Sequence, residues 1–154
     1  MENLGIIILA CHHKSGTMYN KKVFKKLANY LKIKFNLIKD NISFSEISQP
    51  SFNLLTHSSI PQVEKIFNIY PHAKFIHIIR NPRSMLISST LYHKKSSEHW
   101  LVKPNLKYNM KSYQEFLNSK NLKDALLIEL QRSVNIRQMI QLEKYFNDKL
   151  IHNS

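Results

Sequence analysis

Four consecutive residues near the start of the chain have the types that bind anions. Lys14, Ser15, Gly16 and Thr17 follow the apolar run "LGIIILAC" after two histidines, and a helical pattern begins immediately after them. Glycine lets the backbone approach a ligand closely, lysine brings a point charge, and the two hydroxyls can donate hydrogen bonds. Helix N-termini add unpaired N–H groups and the positive end of the helix dipole. The stretch therefore predicts an anion site. It is not the ATP and GTP motif, because its lysine precedes the glycine and the glycine-rich spacing of that motif is missing.

A second group of such residues follows the run "KFIHIIR" at residues 74–80. Arg80 ends the run, and Ser84 and Ser88 come soon afterwards on a predicted helix that Asn81 can cap. An arginine and a hydroxyl near a helix N-terminus suit a second phosphate. Taken alone, these residues would be a surface arginine and ordinary helix serines. The first loop favours the phosphate interpretation.

Alternating strands and helices must position these residues. Strands that alternate with helices predict an α/β, doubly wound parallel sheet of about four to five strands, whose ligands bind at the carboxyl ends of the strands. Three predicted strands end in polar stretches, namely "HHKSGT", "THSS" and "RNPRS". The predicted strands are 4–11, 34–40, 51–57 and 74–80, a loop covers 41–50, and the predicted helices are 17–33, 61–70 and 82–95.

Apolar periodicity predicts which faces of the helices are buried. In the first helix an apolar residue recurs every four positions, which predicts a core-facing stripe opposite a face of lysines. After residue 96 the pattern predicts a long loop over 97–111 and a helical region over 112–145, with helices at 113–119 and 122–145, all within one domain of residues 1–154. The predicted stripes are Tyr19, Val23, Leu27 and Leu31 in the first helix, with Phe24 and Tyr30 beside them, and Leu126, Leu130 and Val134 in the last.

Composition narrows the class of protein. The 154 residues carry a net charge of +13 with the histidines neutral, which favours polyanionic partners, although an excess of lysine can also be a bias of composition. The single cysteine, Cys11, excludes an internal disulfide framework and a cysteine-based zinc site, and we expect an inert buried thiol. No apolar run is long enough to span a bilayer, so a cytoplasmic protein is expected.

The two spaced elements together resemble the sulfotransferases that use 3′-phosphoadenylyl sulfate (PAPS). Members of that family carry a Lys-Ser-Gly-Thr loop after the first strand and an arginine followed eight residues later by a serine. Lys14–Thr17 match the first element, and Arg80 with Ser88 matches the second. The resemblance extends through "FIHIIRNPRSMLISSTLYH" and "SYQEFLNSKNLKDALLIEL", so it covers most of the chain.

The resemblance implies a P-loop-NTPase-like, three-layer fold and a sulfuryl transfer that needs no metal. Lys14, Ser15, Gly16 and Thr17 would bind the 5′-phosphosulfate of PAPS, and Arg80 and Ser88 would bind the 3′-phosphate. Lys14 would also act in catalysis by neutralising charge on the leaving phosphate. The acceptor would be a hydroxyl or amine of a small molecule, glycan or lipid, and a homo-oligomer is possible.

The catalytic base is predicted less directly. His57 follows Thr56, and this pair resembles the catalytic threonine-histidine of the cytosolic branch, with Leu55 where that branch has a lysine. A neutral imidazole can take the proton of an attacking hydroxyl. Other branches use a carboxylate, which leaves Glu46 and Glu64 as alternatives.

The chain also departs from the family pattern. Met18 replaces a second threonine and Tyr19 replaces a common tryptophan. The chain ends at "KYFNDKLIHNS", where members of the family usually continue, so we expect nucleotide binding to exceed turnover. Three alternatives remain: another P-loop-like phosphotransferase, a truncated relative that binds PAPS or its product PAP (3′-phosphoadenosine 5′-phosphate) without turnover, and a nucleic-acid-binding module, for which no reader motif is found.

Overall fold

The computed structural model describes residues 5–38 and 47–152. It contains four strands, seven α-helices and one 3₁₀-helix in these ranges, in the alternating order that the sequence predicts for its first half. The strands are β1 (Ile6–Ala10), β2 (Lys34–Ile38), β3 (Ser51–Leu55) and β4 (Lys74–His77); the helices are α1 (Thr17–Leu31), α2 (Ile60–Ile69), α3 (Pro82–Lys95), α4 (His99–Val102), α5 (Tyr113–Asn118), α6 (Leu122–Arg132) and α7 (Val134–His152); and the 3₁₀-helix is Leu106–Tyr108.

The four strands form one parallel sheet in the order β2-β3-β1-β4. The register pairs Ile6 with Ser51 and Ile7 with Lys74, so all four carboxyl ends lie at one edge of the sheet. Backbone bonds continue there beyond the strands, from the Ile78 N–H to the Ala10 carbonyl and from the Ser58 N–H to the Cys11 carbonyl. The predicted α/β parallel sheet is confirmed.

Helices cover both faces of this sheet. On β1, Ile6, Ile8 and Ala10 face α2 and α7, whereas the alternate residues Leu9 and Cys11 lie on the α1 side. Successive side chains of β1 thus point to opposite faces of the sheet, and all of them are apolar. This is typical of a strand that is buried on both faces. The result is three layers, with α1 on one side and α2 and α7 on the other.

The structure ends two of the predicted strands early. β3 ends at Leu55 and β4 ends at His77, rather than at His57 and Arg80. The backbone of His57 is left-handed, with a φ of 56°, which no strand can include. His57 and Arg80 are therefore loop residues that follow strands.

The chain after α3 is more helical than predicted. The predicted loop over 97–111 contains α4 and a 3₁₀-helix, because the fully buried Leu101 anchors a single turn against Tyr113 and Leu117. A four-residue helix is too short to show periodicity. The long predicted helix is also broken at Ser133 into α6 and α7, and α7 continues to His152.

The stripe predicted for the helix over 122–145, which lies on α6 and the start of α7, is wrong. Leu130 and Val134 are each about half exposed, whereas Ala125 and Glu129 are buried. The carboxylate of Glu129 accepts hydrogen bonds from side chains of α3 and α5, and these bonds fix which side of α6 turns inward. A hydrophobic pattern cannot predict a helix oriented by a buried carboxylate.

The predicted stripe of α1 is also wrong in its direction. The side that contacts the sheet carries Phe24, whose ring lies 5.5 Å from that of Phe52, and the fully buried Ala28. Tyr19 is 71% exposed, and Val23 and Leu27 are each exposed by more than a third. Small and aromatic side chains of α1 fill the space above the sheet, so the aliphatic stripe lies outside.

Two compact units make up the chain. The first contains residues 5–79 and 135–152 as far as they are described, and holds the sheet with α1, α2 and nearly all of α7. The second contains Arg80–Val134 and holds α3 to α6. Among the described helices, none combines the length and the apolar character that a crossing of a bilayer requires.

Candidate functional site

The loop after β1 has the backbone of a ligand-binding turn. Gly16 has a φ of 93°, and Lys14, two residues earlier, is also left-handed with a φ of 64°. Glycine adopts this conformation freely, whereas a lysine in it carries strain of about 1–2 kcal/mol. Strained non-glycine residues concentrate at binding and catalytic sites. The half-buried Lys14 is such a residue.

One carbonyl holds the loop together. The His12 carbonyl accepts hydrogen bonds from the Ser15 N–H at 3.0 Å, the Ser15 hydroxyl at 2.7 Å and the Thr17 hydroxyl at 3.0 Å. The Ser15 hydroxyl in turn accepts from the His12 N–H at 2.9 Å. The hydroxyls of Ser15 and Thr17, which the sequence predicts to bind an anion, thus donate their hydrogen bonds within the loop. Ser15 is buried, so its hydroxyl fixes the shape of the turn.

The loop leads into the N-terminus of α1. The N-cap residue of α1 is Gly16, which has no side chain that could cap the helix, and the first turn contains no acidic residue. Three other helices are capped by side chains, because Asn81, Ser112 and Asn121 accept from N–H groups of α3, α5 and α6. In α1 the corresponding N–H groups can instead bind an anion placed over the loop.

His57 lies in the first unit, beside this loop. It follows β3, the neighbour of β1, and its ring stacks on that of His13 with centroids 6.0 Å apart and planes within 16°. Its Nδ1 lies 3.1 Å from the Oδ1 of Asn135. Because an amide oxygen only accepts, Nδ1 is the donor in this contact, and in the neutral ring with this tautomer the lone pair lies on Nε2. No sequence pattern predicted that Asn135 would contact His57.

A second pair of histidines lies at the same edge of the sheet. The Nε2 atoms of His12 and His77 are 2.9 Å apart, and the two rings meet edge to face. Burial, with the neighbouring His77 and His57, lowers the pKa of His12 to about 4. The pair is not visible in the sequence alone, because it depends on the register that places Ala10 opposite His77.

The cysteine beside this edge is inert. Cys11 is fully buried, and burial raises the pKa of its thiol to about 12, against an opposing hydrogen bond with Asn20. A thiol with this pKa is protonated at neutral pH and is a poor nucleophile. The expected buried thiol is confirmed.

The candidate 3′-phosphate residues belong to the second unit. Arg80 is exposed and directly precedes the cap of α3, and Ser88 is half-buried within that helix. The Asn81 side chain accepts from the N–H groups of Arg83 at 2.9 Å and Ser84 at 3.3 Å. The predicted cap is confirmed, and it occupies two N–H groups that a phosphate could otherwise use.

The alternative bases occupy other places. Glu64 is exposed on α2, and Glu46 lies outside the described residues. Within residues 5–38 and 47–152, no three or more His, Cys, Asp or Glu side chains are arranged to hold a metal ion.

The second unit contains a buried polar network that the sequence did not reveal. Glu129 accepts from the His93 Nδ1 at 2.9 Å, from the Ser89 hydroxyl at 3.1 Å and from the Tyr113 hydroxyl. Burial alone would raise the pKa of Glu129, but the hydrogen bonds from His93 and Tyr113 outweigh it and lower the pKa. The guanidinium of Arg132 lies 3.8 Å from the centre of the Tyr113 ring. The network packs α3, α5 and α6 together.

Comparison with known proteins agrees with this architecture. The profile of the sulfotransferase family matches residues 12–140, which begin at the loop after β1 and extend into α7. No match was found among curated proteins or among solved structures. The matched region includes Lys14–Thr17, His57, Arg80 and Ser88. The chain belongs to the sulfotransferase family.

Proposed function

We propose that this protein transfers the sulfuryl group of PAPS to a hydroxyl or amine of an acceptor. The observation that carries the proposal is the loop of Lys14 and Gly16, which is left-handed at both residues and opens a helix without a side-chain cap. This loop lies at the carboxyl edge of a parallel sheet, where α/β proteins bind their ligands. Membership of the sulfotransferase family supports the same reaction.

The donor would be held at its two charged ends. The N–H groups of the first turn of α1 and the ammonium of Lys14 would bind the 5′-phosphosulfate, with Gly16 leaving room for close approach. The Thr17 hydroxyl is half-buried, and it can exchange the His12 carbonyl for a phosphate oxygen. Arg80 and Ser88 would bind the 3′-phosphate, which distinguishes PAPS from other adenine nucleotides.

The reaction would be an in-line displacement at sulfur. The acceptor oxygen or nitrogen forms a bond to sulfur while the bond from sulfur to the phosphate oxygen breaks, and PAP leaves with the electron pair of that bond. Negative charge grows on the 5′-phosphate as the bond breaks. Lys14 and the helix N–H groups would stabilise that charge, as in phosphoryl transfer.

His57 would take the proton of the acceptor. Its Nδ1–H donates to Asn135, so Nε2 can accept the proton as the nucleophile attacks. Stacking on His13 and the left-handed backbone of His57 fix the position of the ring. Asn135 would act as a positioning residue, because it selects the tautomer with a free Nε2.

The proposal is tested by comparing PAP, AMP and ATP as ligands, with calorimetry and thermal shift. PAP carries both phosphates that the proposed residues bind, so it should bind more tightly than AMP. Equal affinities for PAP and AMP would remove the second phosphate site. A preference for ATP would instead favour a phosphotransferase, which is the alternative activity for such a loop.

Turnover is tested separately with PAPS and a panel of hydroxyl and amine acceptors. Formation of PAP that depends on the acceptor and is lost in Lys14→Ala would support sulfuryl transfer. Tight binding of PAP without acceptor-dependent release would leave a nucleotide-binding relative without turnover.

A further inference from the structure

The outer face of α1 exposes an apolar stripe. Tyr19 and Tyr30 are 71% and 83% exposed, and Val23 and Leu27 lie between them along the same side of the helix. Residues at these spacings lie one above another on a helix. The sheet is covered by the opposite side of α1, so this stripe is not used by the core of the unit.

The same helix is strongly basic. Among its fifteen residues there are four lysines and no acidic residue or arginine. Lys22 and Lys26 are exposed and border the apolar stripe on one side. Lys32 follows the helix directly, and Lys34 begins β2. The lysines of this segment are Lys21, Lys22, Lys25, Lys26, Lys32 and Lys34.

The stripe and the lysines enclose a shallow depression of about 510 Å³. Its surface is mostly apolar, although three lysines line it. Lysine can contribute its methylene stem to such a surface while its ammonium group stays in water. The residues around it are Tyr19, Lys22, Val23, Lys25, Lys26 and Asn29. A partner with an apolar interior and a negatively charged outer layer could contact both the apolar stripe and the lysines.

We propose that the outer face of α1 docks on the surface of an anionic phospholipid bilayer. Val23, Leu27 and the tyrosine rings would enter the boundary between headgroups and acyl chains, and the lysines would contact the lipid phosphates. Tyrosine is enriched at such interfaces. Aliphatic side chains would gain nothing from the phosphate backbone of a polynucleotide, and arginine, which suits bidentate phosphate recognition, does not occur in this helix.

The proposal implies that α1 lies parallel to the membrane plane. A helix of fifteen residues is about 22 Å long, with one tyrosine near each end. The loop of Lys14 and Gly16 directly precedes the helix, so it would be held close to the lipid headgroups. The docking requires neither PAPS nor turnover, so it can be tested independently of the proposed reaction.

The test is co-sedimentation of the full chain with vesicles of phosphatidylcholine, with and without about a third phosphatidylserine. Binding should need phosphatidylserine and should weaken as salt rises. Lys22→Glu with Lys26→Glu should reduce the affinity at least about tenfold. A matched control is Lys107→Glu with Lys144→Glu, which changes the net charge equally at two exposed sites outside α1 and should lower binding much less.

A second pair of variants tests the apolar component. Tyr19→Ser with Tyr30→Ser replaces two exposed rings and should leave the fold intact, yet it should reduce vesicle binding several-fold. Circular dichroism and the unfolding midpoint confirm folding in each case. Equal losses from the two lysine pairs, or unchanged binding without the tyrosines, would overturn the proposal. Tighter binding to a single-stranded oligonucleotide than to the anionic vesicles would also overturn it.

Discussion

His12 and His77 share a hydrogen bond between their Nε2 atoms, which lie 2.9 Å apart. One ring must donate and the other accept, so the accepting ring must be neutral for the bond to exist. His12 is fully buried, and its Nδ1 has no hydrogen-bond partner among the described residues. A proton added to the His12 ring would place a charge in a fully buried site, next to a second imidazole.

The first prediction follows from the pKa of His12, which is lowered to about 4 by burial and the nearby histidines. Between about pH 6.5 and pH 4, His12 binds a proton in the unfolded chain but stays neutral in the folded chain. The free energy of unfolding therefore falls as the pH falls through this range. Between about pH 7 and pH 5 the loss should reach about 2 kcal/mol. Urea unfolding at each pH measures it. His12→Gln should flatten this slope, whereas the exposed His72→Gln should not; an unchanged slope in His12→Gln would contradict the assignment.

The second prediction separates shape from charge in the loop. Lys14→Gly places glycine where the backbone is left-handed, so the free energy of unfolding should change by less than about 1 kcal/mol. The binding of PAP should nevertheless fall about tenfold or more, since the ammonium is lost. Calorimetry and chemical unfolding measure the two effects. A variant that binds PAP normally would remove Lys14 from the site.

The third prediction concerns Gly16, whose φ is 93°. A Cβ added there would lie 3.6 Å from the Asn20 Nδ2, which is an ordinary contact, so any cost must come from the backbone. Gly16→Ala should therefore destabilise by about 1 kcal/mol, and Gly16→Asn by less, because asparagine tolerates this conformation better. Equal costs for the two variants would point to a clash.

The fourth prediction tests His57 as the base. His57→Asn keeps a residue that tolerates a φ of 56°, so the fold and the affinity for PAP should be retained. Transfer to an acceptor should fall about 10²- to 10⁴-fold. Asn135→Ala should lower the rate less, because it loosens the tautomer without removing the base. Normal turnover in His57→Asn would transfer the role to Glu64 or Glu46.

The fifth prediction concerns the proposed 3′-phosphate site. Arg80→Ala should weaken PAP by about 1.5–3 kcal/mol while AMP, which lacks the 3′-phosphate, binds almost unchanged. Arg83→Ala, at another exposed arginine of the same segment, is the control and should affect neither ligand. A similar loss of PAP and AMP affinity in Arg80→Ala would indicate a general electrostatic effect instead.

The sequence predicts the sheet well because the strands are recognisable from short apolar runs alone. "LGIIILA" and "SFNLL" are short, apolar and bounded by polar residues, and Asn81 with Pro82 marks the start of α3 unambiguously. The turn between β1 and α1 is predictable for a similar reason, because the glycine that forms it, Gly16, lies within the turn itself. Local chemistry makes local features predictable.

The features that the sequence does not predict depend on distant partners. His12 meets His77 only because β1 and β4 are neighbours in the sheet, and the Nδ1 of His57 meets Asn135 through the placement of α7. The inward side of α6 is set by Glu129, whose partners lie on α3 and α5. Apolar periodicity contains no information about such polar contacts.

The order of the strands has a consequence for how the chain assembles during synthesis. β1 leaves the ribosome first, but it lies between β3 and β4, and both of its partners are synthesised after α1 and β2. Until Leu55 has emerged, the apolar run Ile6–Ala10 has no neighbouring strand in this sheet. Closing such long loops costs chain entropy before any ladder forms, which slows folding. The segment Ile6–Ala10 therefore waits for both of its neighbours in the sheet until β3 and then β4 have been synthesised.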